Sequence, residues 1–306
     1  MPAPLTIVGL GEAVFDIFPG KAVLGGTSLN LAVQAHQLLR GLGGRGVLLS
    51  RIGQDELGQR LLAEFAARQL PTEFIQLDEA RPTGQVIVHF DGDAPRFEIV
   101  LDCAWDHIAF GPREAALAAQ CSAVSFGSMA QRHPTARTAT AQFLDAAPQA
   151  LRMFDVNLRM DLYSAQVLEA GCRMAQLVKL NEDELPVVTR LLGVDGGDAD
   201  ARAQSLRKRF DLEAVIYTRG VRGTVAYTRE GRVERPAVSF APLPGADAVG
   251  AGDACCAGLL AGRLLGRDWP ATVDLANRMG AFVASRPTAT PLLTDEFLAS
   301  LALRNS

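Results

Sequence analysis

The sequence predicts an α/β protein with a mostly parallel sheet covered by helices on both faces. Two observations carry that reading. Short apolar strands alternate with stretches of helical spacing along most of the chain, which is the pattern of a sheet wrapped by crossover helices. The chain of 306 residues also shows no internal repeat, no low-complexity segment and no long linker, and its length allows one large α/β domain or two small ones.

The elements follow in order. Leu5 to Leu10 is an apolar strand ending at Gly9-Leu10-Gly11. Thr27 to Arg40 has Leu29, Leu31, Ala32, Ala35, Leu38 and Leu39 at helical spacing. Gly46 to Ile52 is a second strand, and Asp55 to Gln69 a helix with an acidic first turn. Thr83 to Phe90 and Phe97 to Leu101 alternate as strands around a turn at residues 91–95, a hairpin that interrupts the strand–helix series and is expected to form a small appendage. The series then resumes with strands at 122–126, 151–156 and 176–180 and helices near 134–146, 164–174 and 182–192. Further strands are expected at 215–218, 223–228 and 232–238, and closing helices at about 251–265, 270–285 and 294–303. Ligands of such sheets lie at the carboxyl ends of the strands.

Composition narrows the function classes. Hydrophobic residues make up 48% and charged residues 21%, and the net charge is −4 with both signs interspersed, so no basic stripe marks a nucleic-acid partner. No apolar run reaches the ~20 residues of a membrane span. Met1-Pro2-Ala3-Pro4 leads straight into the first strand with no basic n-region, so no secretory signal is expected. Five cysteines without a Cys-x-x-Cys pair are expected to be buried thiols of a cytoplasmic protein.

The chemistry concentrates at Asp247-Ala248-Val249-Gly250-Ala251-Gly252-Asp253, which opens a small-residue helix. The free N–H groups and positive dipole end of a helix suit a phosphate or oxyanion. An aspartate there repels the anion, and makes sense if it takes a proton from a hydroxyl attacking phosphorus; the plain alternative is an N-cap. The P-loop form G-x-x-x-x-G-K-[S/T] is absent, and Gly9-x-Gly11 lacks the third glycine of a dinucleotide fingerprint, since position 14 is Val. Asp16 lies beyond the first strand, and Gly25-Gly26-Thr27-Ser28-Leu29-Asn30 places two glycines and an amide at a helix start. Thr27 or Ser28 is a candidate cap there; alternatively Asp16 and Asn30 grip sugar hydroxyls beside bare glycine backbone.

Six motifs in register make the chain resemble the PfkB, or ribokinase-like, family of sugar kinases. Gly25-Gly26-x-x-x-Asn30 and Arg51-Ile52-Gly53-Gln54-Asp55-Glu56-Leu57-Gly58 resemble its N-terminal signature, and Asp247 to Asp253 its C-terminal one. Phe154-Asp155-Val156-Asn157-Leu158-Arg159 resembles the F-D-x-N-x-R segment of fructokinases and sugar-acid kinases. Asn181-Glu182-Asp183-Glu184 and Thr218-Arg219-Gly220-Val221-Arg222-Gly223 resemble the N-x-x-E motif and the nucleotide loop. The resemblance runs from about residue 5 to about 300.

It implies a single ribokinase-like three-layer α/β/α domain over residues 1–306, with a mostly parallel central sheet and a small β lid formed by about 12–26 and 83–102. It implies Asp253 as general base, with the backbone of Gly250, Ala251 and Gly252 as anion hole. Asp16, Gly25, Gly26, Asn30 and Arg159 would bind substrate. Asn181, Thr218, Gly220, Gly223 and Asn277 would bind nucleotide, and Glu184 and Asp247 would organise the metal. ATP and Mg²⁺ are the implied co-substrate and cofactor. Three departures stand out. Ala248 replaces the usual Thr, the stretch between Asp16 and Gly25 is short, and residues 286–291 lack a glycine, which argues against dependence on a monovalent cation. The expected activity is phosphorylation of a small sugar, fructose first and 2-keto-3-deoxygluconate second, with a non-catalytic sensor as the rival from another class. A homodimer paired through a free lid edge is a further expectation.

Overall fold

The structure, a computed structural model, describes residues 4–91 and 94–303. The chain opens with β1 (Thr6–Leu10), then β2 (Val14–Phe18), β3 (Lys21–Gly25), α1 (Thr27–Leu39), β4 (Arg45–Gly53), α2 (Glu56–Ala67) and β5 (Ile75–Asp78). It continues through β6 (Gly84–Asp91), β7 (Ala94–Ile99), α3 (Pro112–Gln120), β8 (Ala123–Gly127), α4 (Pro134–Asp145), β9 (Leu151–Asp155), α5 (Ala165–Met174) and β10 (Leu177–Asn181). It closes with α6 (Glu184–Leu191), α7 (Ala199–Arg209), β11 (Ala214–Thr218), β12 (Thr224–Thr228), β13 (Arg232–Arg235), α8 (Ala251–Leu264), α9 (Trp269–Ala284) and α10 (Asp295–Ser300).

Nine strands form the main sheet in the order β13-β12-β11-β10-β9-β8-β1-β4-β5. From β5 to β11 every neighbour is parallel, and β12 and β13 add an antiparallel edge. Apolar residues alternate into two cores. Ile7 packs with Leu31, Leu259, Leu260 and Val273 on the face covered by α1, α8 and α9. Val8 and Leu10 pack with Phe126, Phe143, Phe154, Leu168 and Leu206 on the other. Burial on both faces is why these strands read as apolar runs.

A second sheet, in the order β3-β2-β6-β7, occupies the two segments assigned to the lid. Of the turn expected at 91–95, residues 92 and 93 lie outside the described residues, and the flanking strands pair Asp91 with Ala94. Three elements have no counterpart in the sequence reading: β5, α3 and α7. Helix α7 buries only Ala203 and Leu206, too few for a visible stripe, and β5 is a four-residue edge strand with Leu77 half exposed. The strand expected over 232–238 stops at Arg235, because Pro236 has no N–H for a ladder and its carbonyl is taken by Asn277. All five cysteines are buried and unpaired. Among the described residues, no helix is long and apolar enough to cross a membrane.

Candidate active site

The assigned residues gather at the carboxyl ends of the parallel strands. Asp155 ends β9, Asn181 ends β10 and Thr218 ends β11, side by side in the sheet. Helix α8 points its N-terminus at this edge. Gly250 is its cap residue at φ 79°, a left-handed conformation that favours glycine, and a Cβ there would lie 2.5 Å from the Ala289 carbonyl oxygen. The 286–291 loop is thus packed against the turn it supports.

Asp253, in the first turn of α8, accepts a 2.8 Å hydrogen bond from Asn30 Nδ2 of α1. Residues 223 positions apart in sequence are therefore in direct contact. Burial, then the charges of Asp155 and Glu12, push the Asp253 carboxyl up to about 7, against the opposing pull of Asn30 and Lys179. A carboxyl with that proton affinity is suited to exchanging a proton at neutral pH.

On the other side of the α8 turn lies a cavity of about 600 Å³, a size suited to a nucleotide. It is lined by all five residues assigned to the nucleotide, Asn181, Thr218, Gly220, Gly223 and Asn277, together with Ala248, Ala251 and Gly252. Asn277 stands there as a wall: its Oδ1 accepts from Thr224 Oγ1 at 2.6 Å and its Nδ2 donates to the carbonyls of Arg235 and Pro236. Ala251 and Gly252 line this cavity, and the next residue, Asp253, joins Asn30 on the sugar side.

Two charged residues at this boundary were quoted only as motif letters. Lys179 of β10 lines the cavity, with its Nζ 3.1 Å from where a Cβ on Gly252 would stand. It pairs with Asp155 at 3.0 Å, and the two are register partners on adjacent strands. Burial alone would lower the Lys179 ammonium, but Asp155 and then Glu184 hold it well above its ordinary value. Asp155 also accepts from Cys256 Sγ at 3.4 Å. The available signal was a lysine inside the apolar strand Leu177-Val178-Lys179-Leu180, since a lysine is almost never fully buried without a partner.

The residues assigned to the sugar come from β2, β3 and the start of α1. Asp16 is partly buried, and a Cβ on Gly25 would come within 3.3 Å of its carboxylate. Burial raises the Asp16 carboxyl, and the charge of Arg159 opposes this. Neither Thr27 nor Ser28 caps α1. The cap position is Gly26, at φ 111°, and the side chain of Glu12 accepts the Thr27 N–H at 3.1 Å and the Ser28 hydroxyl at 3.5 Å. A Cβ on Gly26 would lie 2.6 Å from the Glu12 carbonyl oxygen. Glu12 is fully buried, and burial raises its carboxyl. Arg159 is exposed and its charge is felt by both Glu12 and Asp16. The segment that carries it is held on three sides: Asn157 Nδ2 donates to Thr27 Oγ1, Ser128 Oγ donates to the Val156 carbonyl, and the Leu158 N–H donates to Glu184.

Glu184 is buried with both oxygens engaged, Oε1 by the Leu158 N–H at 3.0 Å and Oε2 by the Asn181 N–H at 2.8 Å. Asp247 is exposed and its Oδ1 accepts the Val249 N–H at 2.9 Å. Glu184 therefore acts as a clamp between two loops of the site.

An α/β/α fold with a helix N-terminus and a buried carboxyl beside a nucleotide-sized cavity suits a phosphotransferase with an alcohol acceptor. The description of the pfkB family carbohydrate kinase matches residues 14–295, and the chain belongs to that family. It is 30% identical over 266 residues to a fructokinase of Klebsiella pneumoniae, covering 83% of this chain and 82% of that protein. It shares its fold with the ATP-bound fructokinase of Xylella fastidiosa, with TM-score 0.82, 24% identity, and coverage of 97% of this chain and 98% of the other. The fructokinase of Vibrio cholerae O395, solved with fructose, ADP and calcium, has TM-score 0.77 and 22% identity, with coverage of 97% and 98%.

Proposed function

We propose that this carbohydrate kinase transfers the γ-phosphate of ATP to a hydroxyl of fructose, with Asp253 as general base. The observation that carries the reading is the bond between Asn30 and Asp253, which joins the proposed base to a residue assigned to the sugar, next along α8 from Ala251 and Gly252 of the nucleotide cavity. The sugar hydroxyl would give its proton to Asp253 as its oxygen attacks phosphorus. The N–H groups at the start of α8, with Lys179 behind them, would oppose the charge on the moving phosphoryl group. Mg²⁺ would arrive on the nucleotide phosphates and keep much of its water toward the protein, with Glu184, already bonded to the Leu158 and Asn181 N–H groups, acting through that water. The four-stranded sheet would close over the sugar and exclude water.

Fructose is preferred to 2-keto-3-deoxygluconate on charge. Glu12, Asp16 and Asp253 are the carboxyl groups of the proposed sugar side; the charge of the exposed Arg159 is felt by Glu12 and Asp16, and that of Lys179 by Asp253. A neutral ketose meets no repulsion in that setting, whereas a sugar acid must approach three carboxyl groups. The test is ATP turnover on purified protein with fructose, 2-keto-3-deoxygluconate, ribose and adenosine. Fructose should give the highest kcat/KM. A preference for the sugar acid overturns the substrate assignment, and no turnover on any of them favours a binding protein over an enzyme.

A further inference from the structure

We propose that Asp102, His107 and His133 form a binding site for a borderline divalent transition cation such as Zn²⁺ or Ni²⁺, outside both the nucleotide cavity and the sugar cleft. One ligand atom from each residue lies within 4.8 Å of the other two, the one such group of three among the described residues. His107 Nε2 stands 2.6 Å from Asp102 Oδ1, and the two imidazole rings have centroids 4.3 Å apart at a tilt of 49°. Two imidazoles and a carboxylate are a common three-residue ligand set for zinc, with water completing the shell. Imidazole donors select such ions over Mg²⁺ and Ca²⁺, which prefer oxygen. Asp102 is 68% exposed, which leaves the ion an entry path. As the ion takes the place of the proton on His107 Nε2, that proton moves to Nδ1 or leaves to solvent, and the ring bound to metal stays neutral.

Two neighbours compete and so set the affinity. Arg81 Nε lies 3.1 Å from Asp102 Oδ1, the same oxygen that His107 meets. His133 Nδ1 accepts the Thr135 N–H at 3.3 Å, a long bond that water can replace because the site is exposed. The placement gives the site a consequence. Asp102 lies just beyond β7 and His107 ends the turn that follows, while His133 caps α4. A bound ion would tie the chain leaving the four-stranded sheet to a helix of the main domain.

The test is calorimetric titration of the untagged full chain with ZnCl₂ and, separately, NiCl₂. One equivalent should bind. His133→Ala and Asp102→Asn should each weaken binding by about tenfold or more. Arg81→Gln should tighten it by removing the competing cation. His89→Ala, which alters an exposed pair with Glu98 on the four-stranded sheet, should change nothing. A zinc-induced rise in Tm that follows the same order of variants gives a second readout. The absence of stoichiometric binding, or an affinity equal in wild type and His133→Ala, overturns the site.

Discussion

Asp253 owes its proton affinity to neighbours that can be removed one at a time. Its carboxyl sits at about 7, first from lost hydration and then from the charge of Asp155. In the proposed reaction the base must be ionised, so kcat should fall as pH drops through about 7. Asp155→Asn removes a negative neighbour, which makes ionisation of Asp253 easier, so the acid limb should move to lower pH. Measured kcat against pH decides this, and an unmoved limb rejects the coupling. Asp253→Asn should lower transfer by about 10²–10⁴-fold while fructose still binds. The same variant carries a stability prediction of opposite sign. A carboxyl raised from its ordinary 3.8 to about 7 binds more protons folded than unfolded between those values. Its charged form therefore costs stability, increasingly as pH rises through that window and constantly above it. Asp253→Asn should raise Tm more at pH 8 than at pH 5, and equal shifts at both would show that the carboxyl is not held high. Asp253 and Asn30 stood out in the sequence because each follows a pair of glycines at a helix start, whereas Asp16, read as lying beyond a strand, is the middle residue of β2. The roles of Glu12 and Lys179 were not, because their partners come from a distant helix start or an adjacent strand that only the fold supplies.

At the level of elements, the α8 N-terminus depends on one left-handed residue and one packed loop. Gly250→Ala introduces a Cβ at φ 79° and 2.5 Å from the Ala289 carbonyl oxygen. The conformational part costs about 1–2 kcal/mol, and the collision must also move either the turn or the 286–291 loop. Gly266→Ala is the matched control, with a similar φ of 72° and nothing within 4 Å. Thermal melts and kcat should separate the two: both lower Tm, and only Gly250→Ala also abolishes most turnover. Equal kcat in the two variants would show that the turn has slack and is not held to a phosphate-binding shape. The main strands were legible because burial on both faces makes them apolar runs, and α8 and α9 because small and apolar residues fill them. Helix α7 was not, since its mostly exposed surface is polar and Leu206 and Ala203 are its buried contacts. Nor was β5, whose four residues bury the polar Gln76 and Asp78 while Leu77 is exposed, the reverse of an amphipathic strand pattern.

For the whole molecule, what remains is how two sheets act as one enzyme, and the motif from Arg51 to Gly58 supplies the joint. Asp55 caps α2 through the Gly58 N–H at 2.8 Å, and its carboxylate also takes the Thr83 N–H and hydroxyl, each at 2.7 Å. The Thr83 hydroxyl in turn accepts the Gly53 N–H at 3.0 Å. Thr83 is the residue before β6, so this network fixes the point where the chain enters the four-stranded sheet. Arg51 fixes the exit, pairing with Asp78 at 2.8 Å and donating to the His107 carbonyl at 3.1 Å. A motif that reads as part of the family's N-terminal signature therefore anchors the roots of the proposed lid. Asp55→Ala should cost about 1 kcal/mol as a lost cap, and its larger effect should be on closure. A loosened lid admits water to the phosphoryl group, so ATP hydrolysis without sugar should rise relative to fructose phosphorylation, and the KM for fructose should rise with it. The ratio of ADP formed to sugar phosphate formed measures this directly. A variant with lowered Tm but an unchanged ratio would show that the four-stranded sheet is a rigid wall of the cleft whose anchoring has no part in excluding water.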